Sequence, residues 1–154
     1  MFQGKNGRRA AWLTVLMCLT LMLIWENSIR PGAVSMQRSQ RVAQWLLETF
    51  GAGETIRWVA LHIRKVTHFM EYAALGALGS LMIRVSSAER KGHYRLHLLF
   101  FCLLAAVADE ALQGFADRGS QVTDVVLDFS GALTGTGAEF ALGGFFSILW
   151  GQKK

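Results

Sequence analysis

Cysteine, proline and charge are all scarce in this chain of 154 residues. Two cysteines are too few for a disulfide-stapled secreted module, and both Cys18 and Cys102 sit inside apolar runs, where they read as small hydrophobes. The single proline, Pro31, stands with Gly32 in a turn-like stretch. Charged residues make up 18% of the chain, against roughly 25% in average soluble domains. Hydrophobic residues reach 52% before the 16 glycines are counted, and the mean hydropathy is +0.30. One soluble core of this size cannot hide that much apolar surface, so the excess requires lipid. The same composition excludes a disordered chain. No internal repeat or low-complexity segment stands out.

The net charge of +5 would suit nucleic acid, but its placement does not. The basic residues gather in short groups beside apolar runs: Lys5, Arg8 and Arg9; Arg64 and Lys65; Arg84, Arg90, Lys91 and Arg95; Lys153 and Lys154. Bilayer headgroups select that arrangement. No basic stripe with interleaved aromatics is present, and no nucleic-acid partner is expected.

Four apolar segments predict an all-α, four-transmembrane-helix bundle in a single domain over residues 1–154. They are Ala10–Trp25, Val66–Ile83, Leu96–Ala116 and Val122–Trp150. The first is short for a span and could be read as a signal peptide. No small-x-small cleavage site follows within Glu26–Arg30, so a retained helix is expected. The fourth is longer than a straight span requires, so it tilts or begins inside a protein-lined cavity. Small residues such as Ala73, Gly76, Ala77, Gly131 and Gly135 allow close helix approach. Between the first two segments, Val42, Trp45, Leu46 and Phe50 recur at helical spacing. They predict an amphipathic helix over about 38–50 that lies on the membrane surface or caps the bundle. The inner segments are the richer in Lys and Arg per residue if both termini are cytoplasmic, which is the orientation expected.

Six acidic residues interrupt the later apolar segments: Glu71, Asp109, Glu110, Asp124, Asp128 and Glu139. Each costs about 2.5–3.5 kcal/mol at the centre of a span. A chain that had only to sit in lipid would not keep them. Lys65, His68, Glu71 and Tyr72 fall in the first turns of the second segment. Asp109, Glu110 and Gln113 fall in the last turns of the third. Asp124 and Asp128 open the fourth, just after Arg118 and Ser120. Antiparallel alternation brings all of these to one leaflet, the outer one in the expected orientation. Lys65, His68 and Tyr72 share a helix face, as do Asp109 with Gln113 and Asp124 with Asp128. Glu139 lies roughly 22 Å along the helix from Asp124 and is not part of this cluster. Its role has no account at this level.

These residues carry a resemblance. Arg64-Lys65-x-x-His68-Phe69-x-Glu71-Tyr72-x-x-Leu75-Gly76 resembles the signature of the VanZ-like family of small bacterial membrane proteins. So do Asp109-Glu110-x-x-Gln113, Asp117-Arg118-Gly119-Ser120, Asp124-Val125 and Gly131-Ala132, with Gln40-Arg41-Val42 and Leu46-Leu47 upstream. The ordered set covers nearly the whole chain. Two positions depart from the family pattern: Asp128 replaces a usual asparagine and Asp117 a usual glycine. The resemblance implies a multi-pass protein of the bacterial cytoplasmic membrane. It also implies a link to the cell envelope, since the family is named for a protein associated with resistance to the glycopeptide teicoplanin.

Three readings of the cluster stand beside one another, and a fourth, transport or proton coupling, is disfavoured because four spans are few for a monomeric carrier and no inverted halves are visible. In an enzyme, Glu71, Asp109 or Glu110 is a general base acting on a lipid-linked or amphiphilic envelope substrate. Lys65 and Arg118 then hold its anionic group, and His68 moves a proton. Tyr72, Gln113, Ser120, Asp124 and Asp128 complete the substrate pocket. In a non-catalytic binding protein, the same pocket captures a membrane lipid or a lipoglycopeptide. In the third, the polar groups only satisfy each other and lock the bundle. The sequence leaves a metal requirement and the oligomeric state open. His68 with several carboxylates is an oxygen-rich set, while a single histidine without an H-E-x-x-H pattern disfavours zinc. The surplus of carboxylates over Lys65, His68 and Arg118 favours a functional pocket over a self-satisfied network.

Overall fold

A computed structural model describes residues 5–86, 91–116 and 119–150. Among them are six helices and no strand: α1 (Lys5–Ile29), α2 (Gly32–Phe50), α3 (Glu54–Leu61), α4 (Ile63–Val85), α5 (Lys91–Phe115) and α6 (Val122–Trp150). The expected all-α architecture is present. α1 and the start of α5 run a turn or more beyond the expected apolar segments, because the flanking polar residues continue the helical hydrogen-bond ladder. The amphipathic segment begins at Gly32, earlier than its apolar spacing suggests. Pro31 disfavours helix at Arg30 and supplies the extended residue from which α2 starts, at φ −51° and ψ 141°.

One helix was not expected. The short α3 follows Gly51, whose φ of +81° ends α2 in a conformation open to glycine, and Gly53. His62 alone separates α3 from α4. Its N–H reaches the carbonyls of Trp58 and Val59, and its ring stacks on Trp58 with centroids 4.5 Å apart. Trp58 and Leu61 of α3 are exposed, as are Val34, Met36, Val42, Trp45 and Phe50 of α2. An exposed apolar set of this kind suits a helix pair at a lipid interface.

Among the described residues, three stretches are long and apolar enough to cross a membrane: Gly7–Ile29, Ile63–Val85 and His93–Phe115. This corrects the expectation of four clear spans. α6, which carries Asp124, Asp128 and Glu139 among its glycines and threonines, is not one of the three. Instead of presenting a uniformly apolar surface, α6 lies along α4, its most extensive neighbour, and also touches α5. α4 and α6 run parallel: Phe69 meets Gly131, and Ala73 meets Gly135 one turn further on. The Gly131-x-x-x-Gly135 spacing removes the side chains that would hold the two backbones apart. Thr136 fastens the same contact through a 3.3 Å hydrogen bond from its hydroxyl to the Gly76 carbonyl. α5 returns antiparallel, and α1 packs on α4 and α5.

The core where the spans meet is made of Ile24, Tyr72, Leu75, Leu98, Cys102, Ala105, Ala106 and Ala132. Trp12, Leu16, Leu19, Met22 and Leu23 of α1 stay exposed. This inside-out distribution is expected when lipid rather than water surrounds the helix.

The unexplained Glu139 finds its partners at the end of the bundle where α4 finishes. Arg84 Nε lies 2.8 Å from Glu139 Oε1, the Ser80 hydroxyl donates to Oε2 at 2.6 Å, and Arg84 Nη2 donates to the Glu139 carbonyl at 2.6 Å. Arg95 lies 4.4 Å over the ring of Phe140 at the same end. The charge on Glu139 therefore clamps α4 to α6 far from the other acidic residues. A double-mutant cycle on Arg84→Ala and Glu139→Ala, read by thermal unfolding in detergent, should give a coupling of about 1–2 kcal/mol. Strict additivity would remove the clamp.

Candidate functional site

The opposite end is different. There α4 begins, α5 ends and α6 begins, so the residues expected to converge come from three helices. His68, Asp109 and Asp128 meet at the centre, with exposures of 5%, 0% and 1%. His68 Nδ1 is 3.4 Å from Asp109 Oδ2 and 3.8 Å from Asp128 Oδ2. Tyr72 is fully buried one turn below His68, and Glu71 is half-buried within electrostatic reach of His68 and Asp109.

A second layer orients this centre. Gln113 Nε2 donates to Asp109 Oδ2 at 3.0 Å, and Arg64 donates to Gln113 Oε1. Arg64 thus reaches the cluster through a neutral amide, its charge held at the rim. Lys65 is likewise engaged outside the centre, 3.1 Å from Asp124 Oδ1. Asp124 stands in the first turn of α6, where the helix dipole favours a carboxylate. Glu110 turns toward the α5–α6 connection, and its Oε1 accepts the Gln121 backbone N–H at 2.5 Å. Ser120 is exposed in that connection. Asp117 and Arg118 lie outside the described residues.

Of the residues singled out in the sequence, the structure therefore joins His68, Asp109, Asp128 and Gln113 directly, with Tyr72 and Glu71 beside them. It sets Lys65 and Asp124 at the rim as a pair and gives Glu110 a partly structural role. Arg64, which the sequence motif contained but which was not expected at the site, positions Gln113. Its place beside Lys65 at the head of a span was the available signal.

Many polar atoms here have no hydrogen-bond partner among the described residues. They include both ring nitrogens of His68, both oxygens of Asp128, Asp109 Oδ1, Glu71 Oε2, Glu110 Oε2 and the Tyr72 hydroxyl. Each orphaned buried group costs about 1–3 kcal/mol, and more when charged. A small cavity of about 10 Å³ touches His68, Gln113, Asp124 and Asp128, with Arg64 and Lys65 at its mouth. Next to it, Asn27 of α1, Ser35, Arg38 and Ser39 of α2, and Arg64 and Thr67 of α4 line a polar pocket of about 270 Å³. Along the outer face of α4 and α6, an apolar groove of about 640 Å³ runs from Phe69 and Met70 down to Leu81 and Leu142.

These features define an α-helical membrane protein with a buried acid–imidazole cluster at one end of its bundle. Over residues 12–143 the chain matches the family model VanZ/LLP1, and it belongs to that family. No curated protein and no solved structure matches it.

Proposed function

We propose that this protein acts on an anionic, lipid-linked or otherwise amphiphilic substrate of the bacterial cell envelope, at the outer leaflet of the cytoplasmic membrane. Both termini then lie in the cytoplasm. The observation that carries the reading is the set of buried carboxylate and imidazole atoms that have no hydrogen-bond partner among the described residues, since a network built only for packing would satisfy itself. The guanidinium groups of Arg38 and Arg64 at the 270 Å³ pocket suit a phosphate or carboxylate headgroup. The groove along α4 and α6 offers an acyl chain a continuous apolar path. Glu71 and Asp109 flank His68 and serve as the bases, and Glu110 accepts the Gln121 N–H just before α6.

Family membership makes teicoplanin susceptibility the phenotype to score, alongside mass spectrometry of lipid extracts from expressing cells. Glu71→Gln should abolish both effects while the protein accumulates normally. If susceptibility changes with no alteration in the mass of any lipid, non-catalytic capture of the same amphiphile replaces catalysis. If the variant fails to accumulate, the carboxylate is structural. Labelling of Ser120→Cys by an impermeant thiol reagent on intact cells fixes the leaflet, and labelling only after lysis would place the site inside.

A further inference from the structure

Among the described residues, Asp109 and Asp128 have no full-charge partner other than the shared imidazole of His68. Both are at least 99% buried, and they come from different helices to face one imidazole. The nearby cations are committed elsewhere: Lys65 to Asp124, and Arg64 to the Gln113 amide. Buried carboxylates in such a setting are paired, protonated or bound to a metal.

We propose that His68, Asp109 and Asp128 form a site for a single divalent first-row cation, with Mn²⁺ the ion best suited to the donor set. One ligand atom from each residue lies within 4.8 Å of the others. The two measured separations from His68 Nδ1, 3.4 Å and 3.8 Å, match those between ligands around one ion. At metal–ligand distances of about 2.1 Å, such separations run from roughly 3.0 to 4.2 Å. An imidazole nitrogen with carboxylate oxygens suits Mn²⁺ better than the thiolate-rich or multi-histidine sets of structural zinc. Lone pairs remain for an ion: among the described residues both Asp128 oxygens and Asp109 Oδ1 have no hydrogen-bond partner, Asp109 Oδ2 accepts from Gln113 alone, and His68 Nδ1 meets the two carboxylates only at 3.4 and 3.8 Å.

The surroundings support the same assignment. The Gln113 amide donates at 3.0 Å to Asp109 Oδ2, the same oxygen that lies 3.4 Å from His68 Nδ1, and is itself held by Arg64; such an outer-sphere contact fixes the orientation of the carboxylate. The adjoining cavity of about 10 Å³ has room for about one water, which would complete the coordination sphere. A divalent ion neutralises both carboxylates at once, and with it bound the base of the proposed activity is Glu71 rather than Asp109. The site shares residues with the proposed lipid-directed activity but stands on its coordination geometry, and binding alone tests it.

The test uses the full chain purified in detergent, stripped with EDTA and titrated with MnCl₂. Free Mn²⁺ is followed by electron paramagnetic resonance, and the thermal midpoint is recorded in parallel. One Mn²⁺ per chain should bind saturably and raise the midpoint. Asp128→Asn, nearly isosteric, should weaken binding by about tenfold or more, as should Gln113→Leu through the lost outer contact. Glu48→Gln, on the exposed face of α2 away from the cluster, should bind within about twofold of wild type. Absence of saturable binding by folded wild-type protein overturns the proposal in favour of protons shared among the carboxylates. Equal affinity in wild type and a folded Asp128→Asn variant overturns it too. Because wild-type binding is itself decisive, the proposal stays testable even where a variant does not fold. Metal binding without any lipid-directed effect would sink the proposed activity and leave the ion site standing.

Discussion

Gly135→Leu should prevent the folded protein from accumulating, or lower its stability by about 3 kcal/mol or more. A side chain built at Gly135 falls on the backbone carbonyl of Ala73, where no rotamer change gives relief. The two helices would have to separate, and Gly131 against Phe69, Thr136 against Gly76 and the Arg84–Glu139 clamp would separate with them. Overpacking in a tight core commonly costs 1–3 kcal/mol, and a collision with backbone lies at the upper end. In lipid the loss is not offset by hydrophobic burial elsewhere, because association there rests on close contact. Gly137 supplies the control: it lies two residues away on the same helix and has nothing within 4 Å of its would-be side chain. Gly137→Leu should therefore yield folded, monodisperse protein with a nearly unchanged thermal midpoint. Equal behaviour of the two variants would show that α4 and α6 do not pack in this way.

Asp109→Asn should move function and stability in opposite directions. In metal-free buffer the substitution removes one of several carboxylates crowded around a single imidazole, so the thermal midpoint should rise by a few degrees. The amide keeps an oxygen for Gln113 and almost the same volume, so packing is undisturbed. The envelope phenotype should fall by about two orders of magnitude or more, the usual scale for losing an acid–base group. This trade is expected where a chain keeps an unfavourable charge for its chemistry. Midpoints for both proteins in EDTA, measured beside susceptibility of cells expressing them, give the comparison. A lowered midpoint together with lost function would instead make Asp109 a structural member of the network.

Much of the site was legible from one dimension. Antiparallel alternation of apolar segments sends the start of one helix and the end of the next to the same side, which suffices to collect His68, Asp109 and Asp128 at one end. The distance of Glu139 from that end was equally plain from helical rise. Its partner was not, because Arg84 reads as an ordinary basic flank until α4 and α6 are seen to run in parallel contact. α3 escaped notice for a related reason: eight residues carry too little periodicity to announce a helix, and Gly51 and His62 define it through local backbone geometry.

The sequence by itself determined the helical class, the membrane environment, the family and the leaflet-like segregation of polar residues. These follow from hydropathy, helical period and motif order, which are properties of single segments. Only the tertiary structure decided that Asp109 and Asp128 face the same imidazole, that Arg64 acts through Gln113, and that Glu110 leans toward Gln121. The reason is rotational: a pattern fixes where along a helix a residue lies, while the angle at which helices meet is set by Gly131, Gly135 and their close backbone contacts.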